Sequence, residues 1–177
     1  MTIEIKIAEL ADVLDVVEHD ICHMREPGFN GTYAHPFPMD YPWDEDKMRS
    51  DKILAWDKEI GEPGWARSFL LIENGNIVGH LNLKNLFDGT LHRAQLGMGF
   101  EQHARGKGYG KILLNHAVDW AKKQESLDWL DLSVFAHNTP ARKLYTNAGF
   151  QELFTFPDRL RVEGTSIDDV YMVLKIK

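Results

Sequence analysis

Cysteine is all but absent from this sequence: Cys22 stands alone, which excludes an internal disulfide. Nor is there an apolar run approaching the roughly 20 residues that a membrane-spanning helix requires. The start, Met1-Thr2-Ile3-Glu4-Ile5-Lys6, has neither the basic opening nor the apolar stretch of a secretory signal. Repeats, low-complexity tracts and Gly/Ser linkers are lacking as well, so one domain over residues 1–177 is expected. Excess positive charge is missing too. The 27 acidic residues outnumber the 20 Lys and Arg by 7, whereas phosphate contacts need a basic surface. These absences predict a cytoplasmic protein with no membrane and no nucleic-acid partner.

What is there is an ordinary globular balance, 44% apolar and 27% charged. The charge is unevenly spread. Residues 1–60 carry 14 acidic and 6 basic side chains, and residues 61–177 carry 13 and 14. Solvated helices explain such an excess most simply, and a mouth that attracts a cation is the alternative.

The pattern predicts strand, two helices, three strands, helix, strand, helix and two strands. Ile3–Ile7 alternates as a short strand. Asp12 is expected to cap a helix with Val13, Val16, Val17 and Ile21 on one face as far as Met24. A Pro-rich aromatic stretch through Tyr33, Phe37, Tyr41 and Trp43 reads as a long ordered loop, and residues 44–60 as a second helix. Strands over 68–73 and 77–86 flank the hairpin signal Asn74-Gly75-Asn76, with a further strand at 91–101. Then come a helix at 109–124, a strand at 129–135, a helix at 139–147, and strands at 150–156 and 170–176. The class is α/β (α+β), with a mixed, mostly antiparallel seven-stranded sheet flanked by about four helices.

Arg105-Gly106-Lys107-Gly108-Tyr109-Gly110-Lys111 lies between a strand and a helix. Glycines at alternate positions let the backbone turn tightly and aim several N–H groups at one spot. The helix adds the positive end of its dipole, and Arg105, Lys107 and Lys111 add charge, as suits a pyrophosphate. A P-loop is excluded because Gly108 follows Lys107 where Ser or Thr is needed. The dinucleotide fingerprint is excluded by its G-x-G-x-x-G spacing. Taken alone, the segment is equally readable as a structural turn. A second segment runs Val134-Phe135-Ala136-His137-Asn138 into Thr139-Pro140-Ala141-Arg142-Lys143-Leu144-Tyr145, ending Gly149-Phe150. Thr139 is expected to cap that helix ahead of Pro140, with Gly149 ending it.

These two segments, in this order and about twenty-five residues apart, resemble the two central motifs of the GNAT N-acetyltransferases. The resemblance is dense over residues 91–156. The tail Arg161-Val162-Glu163-Gly164 followed by Asp168-Asp169-Val170 resembles a bacterial branch acting on small amines and amino acids. The resemblance implies the GNAT fold and acetyl-CoA as cosubstrate. The backbone of Met98-Gly99-Phe100 would pair with the pantetheine arm. The amides from Arg105 through Gly106, Lys107, Gly108, Tyr109 and Gly110 to Lys111 would hold the pyrophosphate. Asn138 would bond the pantetheine or shape the pocket, with Ala141 beside it, and Tyr145 would protonate the departing thiolate.

Chemistry supports that last role independently. A neutral amine attacks a thioester, an oxyanion develops, and a donor near sulfur must supply a proton. A phenol with a pKa of roughly 10 can do so. For Tyr145 the competing role is core packing, and for Asn138 it is helix entry alone. The general base is less legible. Gln95 cannot serve, so Glu101 and His80 are the candidates, although each reads more simply as an ordinary solvated or core side chain. His19, Cys22 and His23 fall at helical spacing, with His35 beyond, and are residue types able to bind zinc from one face. Direct transfer needs no metal, and none is expected. The acceptor is expected to be a small-molecule primary amine, with the acidic first third and the Tyr33–Trp43 loop at its mouth. A protein N-terminus or lysine as acceptor, and a non-catalytic CoA-binding module, are the alternatives. The oligomeric state is open, a homodimer included.

Overall fold

In the computed structural model, which describes residues 2–177, the site is positioned by one seven-stranded sheet. Its strands are β1 (Ile3–Ile7), β2 (Ala66–Glu73), β3 (Asn76–Lys84), β4 (Arg93–Phe100), β5 (Trp129–Phe135), β6 (Gln151–Val162) and β7 (Thr165–Lys175). They lie in the order β1-β2-β3-β4-β5-β7-β6, antiparallel except where β4 meets β5. The four α-helices are α1 (Val13–Met24), α2 (Glu45–Trp56), α3 (Tyr109–Ala121) and α4 (Thr139–Asn147). The architecture is the mixed, mostly antiparallel GNAT arrangement that the sequence implied.

Alternation along the strands divides the core between the two faces of the sheet. Phe69, Leu71, Leu81, Leu83, Leu130 and Leu132 pack with Leu113, Leu114 and Ala117 of α3, all fully buried. Leu70 points the other way and meets Val16 of α1 and Ala8 in a smaller cluster. The β2–β3 turn fits its sequence signal, with Asn74 and Gly75 both at positive φ (52° and 88°), the geometry a two-residue hairpin favours.

Three boundaries differ from expectation for identifiable reasons. Asp12 does not cap α1. It ends a short 3-10 turn over Leu10–Asp12, and its carboxylate instead accepts from the Glu9 amide at 2.9 Å and pairs with Lys6. The second helix stops at Trp56, and only its start, where Asp44 accepts from the Lys47 amide at 2.9 Å, is capped by a side chain. The last two strands are far longer than 150–156 and 170–176. A register shift between Phe156 and Leu160 absorbs Pro157 and Asp158, the latter at φ 50°, and β6 then runs on to Val162. A proline and a run of charges hide that continuation from a search for alternation.

Where α1 crosses β3 the interface is polar. His19, Asp20 and His80 are buried, and Asp20 is paired with Lys52 of α2 at 2.7 Å. Burial, above all, pushes the His80 imidazole down to about 4 and that of His23, one turn beyond His19, down to about 3. An unfolded histidine titrates near 6.5. The folded values lie below the unfolded one, so the unfolded chain binds more protons as pH falls. Stability from these neutral imidazoles is complete above about pH 6.5 and drains as pH drops toward 4. Each can remove up to about 1.4 kcal/mol per pH unit in that window. The melting temperature is therefore expected to fall by several degrees between pH 7 and pH 5. The slope should be shallower in His23→Gln, and equal slopes in calorimetric melts of the two proteins would contradict a neutral buried His23.

Candidate active site

The parallel strands β4 and β5 pair at only three positions, Arg93 with Trp129, Ala94 with Leu130 and Gln95 with Asp131. Arg93 clamps this base by donating to Asp131 from Nε at 2.6 Å and from a terminal nitrogen. Beyond it, β4 continues to Phe100 against β3 and β5 continues to Phe135 against β7, but not against each other. The strands therefore open into a split, and no strand pairs with the edge of Met98–Phe100 that faces it. Such an edge is a template for an extended ligand.

A cavity of about 680 Å³ occupies the split. Met98, Gly99 and Phe100 form one wall, and Asn138, Ala141, Leu144 and Tyr145 of α4 and its entry form another. The Arg105–Lys111 loop closes one end. Every residue the resemblance assigned to the cofactor lines this cavity except Lys107.

The loop is built as a cradle. Gly106 and Gly108 take φ of 78° and 83°, where a side chain would be strained. In the first turn of α3 the Lys111 amide donates to the Gly108 carbonyl at 3.2 Å, which leaves the amides of Tyr109 and Gly110, residues that line the cavity, without an acceptor inside the helix. The three basic residues do different work. Arg105 donates to the Phe100 carbonyl (2.9 Å), the Pro27 carbonyl (2.7 Å) and Glu26 (2.9 Å), so its charge is spent tying the loop to the segment after α1. Lys107 turns away to Glu73, 3.2 Å from both carboxylate oxygens. Tyr109 also donates to Glu73, which pushes its hydroxyl up to about 12. Lys111 makes no ion pair among the described residues and lines the cavity.

Asn138, and not Thr139, is the cap of α4: its Oδ1 accepts from the Ala141 amide at 3.2 Å, with Thr139 and Pro140 in the first turn. Asn138 thus shapes the helix entry and lines the cavity at once. Tyr145 is 5% exposed and packs against Phe150. Burial drives its hydroxyl far above the usual phenol range, with no hydrogen bond among the described residues to offset it. It is a neutral phenol held at the cavity wall.

Glu101 and His80 do not line this cavity. Glu101 lies on a second one of about 720 Å³, together with Asp15, Glu18, His19, Glu73 and His103. No carboxylate among the described residues lines the first cavity, whereas Asp15 and Glu18 of the acidic first third line the second. The imidazole that does line it is His23, which sequence reading treated only as a metal candidate. Its Nε2 fills the space where a Gly99 side chain would stand, beside the His80 ring. Its helical spacing from His19 was the available signal. Cys22, between them, is exposed.

The aromatic segment after α1 straps the split. Phe29 and Ala34 line the cavity, Thr32 bonds His137 Nε2 at 2.9 Å, and Tyr33 donates to Glu163 of the β6–β7 turn at 2.7 Å. Gly28 is required here, since any Cβ would meet the Tyr33 carbonyl at 2.4 Å. Phe37, Tyr41 and Trp43 pack on one another with ring centroids 4.6 to 5.0 Å apart.

The chain shares this arrangement with known proteins. It is 24% identical over 151 residues to the L-amino acid N-acetyltransferase AaaT of Escherichia coli (strain K12), covering 85% of each chain. A shorter match, 50% identical over 54 residues, links it to an uncharacterized N-acetyltransferase, YycN, of Bacillus subtilis (strain 168), and spans 30% of this chain and 34% of that protein. YncA of Salmonella typhimurium, solved with its cofactor acetyl-CoA, superposes with a TM-score of 0.81 at 20% identity, over 100% of this chain and 95% of that one. The sequence model of the Acetyltransferase (GNAT) family matches residues 23–150. With motifs, fold and match in agreement, the chain belongs to the GNAT family of acetyl-CoA-dependent N-acetyltransferases.

Proposed function

We propose that this enzyme acetylates the primary amine of a small molecule, an amino acid in preference to a polycation, by direct attack within a ternary complex. The observation that carries the reading is that Tyr145 lines one cavity together with the glycine cradle and the β4 edge that no strand pairs. Acetyl-CoA supplies the thioester, an acyl group already activated toward amines. The Met98–Phe100 edge orients the pantetheine arm, the amides between Gly106 and Lys111 receive the pyrophosphate, and Tyr145 holds the proton that the leaving sulfur requires. An acid with so high a pKa can still serve. The low dielectric that disfavours phenolate also disfavours thiolate, so both basicities rise together.

Two features support a small acceptor that is not a polycation. The strap from Thr32 to His137 and from Tyr33 to Glu163 crosses the split, where a protein substrate would need an open groove. Among the described residues this cavity is also lined by no carboxylate of the kind that would select a polyamine. AaaT, similar over most of its length, acts by its name on L-amino acids.

Acetyl-CoA-dependent thiol release against amino acids, polyamines, aminoglycosides and short peptides is expected to show turnover with amino acids. Strong turnover confined to polyamines or peptides would overturn the acceptor assignment. Tyr145→Phe should lower kcat by about 100-fold or more while leaving the acetyl-CoA Kd within about twofold. An unchanged kcat would remove Tyr145 as the donor. Gly108→Ala, strained at φ 83°, should weaken CoA binding about tenfold by calorimetry, as backbone strain of about 1–3 kcal/mol implies.

A further inference from the structure

An ammonium substrate must shed two protons to become an amide, and Tyr145 accounts for one. The cavity wall offers a single imidazole, His23, for the other. Behind it lies a polar path through the protein, interrupted once, between His23 and His80. His80 pairs across the strands with Gly99, and its Nδ1 lies 3.1 Å from His19 Nε2. The other His19 nitrogen, Nδ1, lies 3.2 Å from Glu101 Oε1. Glu101 reaches the second cavity, where its other oxygen is 3.2 Å from His103. The path joins the two cavities.

The carboxylates at its side set the tautomers. Glu101 requires the proton of His19 on Nδ1, which leaves His19 Nε2 as an acceptor. Asp20 Oδ1, 3.5 Å from His80 Nδ1, likewise favours the proton of His80 on that nitrogen. His80 then donates to His19, His19 donates to Glu101, and His80 Nε2 is left as the open acceptor. His23 and His80 touch the same space over Gly99 with ring centroids 5.4 Å apart, a gap that one water or a ring rotation closes. A purely structural cluster would explain the Asp20–Lys52 pair. It would leave unexplained why His19 engages Glu101 with its second nitrogen, and why His23 keeps a buried Nδ1 without a partner among the described residues.

Building on the acetyl-transfer reading, we propose that His23 takes the proton of the attacking amine and that His80, His19 and Glu101 pass it to solvent in the second cavity. The balance closes. The N–C bond forms and the C–S bond breaks, one amine proton ends on sulfur by way of Tyr145, and the other leaves along this path. His23 is the catalytic residue, and His80, His19 and Glu101 act through it. The charges around the path are Lys52 and Asp20 beside His80, Arg105 with Glu26 and the ring of His35 beside His23, and His103 beside Glu101. Burial keeps His23 and His80 neutral at neutral pH and disfavours their imidazolium forms, so the proton passes along the path without resting on either ring.

The test is kcat against pH, from about 6.5 to 9.5, for wild type, His19→Gln and Glu101→Gln at saturating acetyl-CoA, with the acceptor that the amine panel identifies. Both variants lie outside the first cavity. They should keep the acetyl-CoA KM and Kd, lose about tenfold or more in kcat near pH 7, and recover as pH rises because hydroxide replaces the lost exit. His23→Ala should regain turnover with added imidazole. Wild-type kcat in the variants, or a loss equal at every pH, would overturn the route while leaving acetyl transfer standing. A wild type that binds acetyl-CoA yet turns over nothing on the panel would overturn the acetyl-transfer reading and the route with it.

Discussion

The parting of β4 from β5 after three residue pairs is the constraint on which the rest of the structure depends. A sheet that stays paired buries its backbone groups in its own ladder and offers a ligand nothing. Here the two strands are held together only at their base, by those pairs and the Arg93–Asp131 clamp, while each remains fully engaged on its other side. The split can therefore stay open without loosening the sheet. Its unpaired edge, the cradle at the start of α3 and the α4 wall all follow from where the two strands end.

The same opening explains the distribution of charge. A pyrophosphate is a dianion or more and attracts cations, yet Arg105 and Lys107 are both committed to carboxylates, Glu26 and Glu73, that lie outside the cavity. What remains for a phosphate is backbone dipole, first-turn amides and Lys111. Backbone amides are fixed by the fold and need no side-chain ordering on binding, whereas a lysine loses up to about 2 kcal/mol of rotamer freedom when immobilised. Arg105 serves better by anchoring Pro27 and so the strap. The glycine loop at the cavity end and the segment that straps the split are thereby fastened to each other.

Much of this was legible because it is local. The strand at 129–135 and the helix at 139–147 are bounded by residues whose turn and cap chemistry is read over a few positions, and Gly106 and Gly108 announce a backbone that must turn. Long-range features were not. Nothing near Glu101 says that its partner is His19, 82 residues away. Nothing in Tyr33 points to Glu163, 130 residues away. The assignment of charge failed for the same reason. Nothing in the sequence around Glu26 and Glu73 marks them as the partners of Arg105 and Lys107, which only the fold brings to them. His23 was seen through its helical spacing with His19, which shows a shared face but not which cavity that face borders.

Gly79 and Gly99 show how the strands carry function on both faces. A glycine inside a strand packs nothing and weakens it. At each of these two a ring from the partner strand fills the gap. A Cβ on Gly79 would stand 2.2 Å from the Phe100 ring, and one on Gly99 would strike His23 at 2.3 Å and His80 at 2.9 Å. The cross-strand pairs are Gly79 with Phe100 and His80 with Gly99, so the two exchanges fall on opposite faces of the sheet. One sets an apolar ring on the side of α3 and α4, where the cofactor wall needs it. The other sets two imidazoles, those of His23 and His80, on the side of α1. A side chain at Gly99 would eject His23, and one at Gly79 would displace Phe100 from the cavity wall. The two glycines are thus the local condition for having the Phe100 ring and a pair of imidazoles back to back across the same short stretch of the sheet.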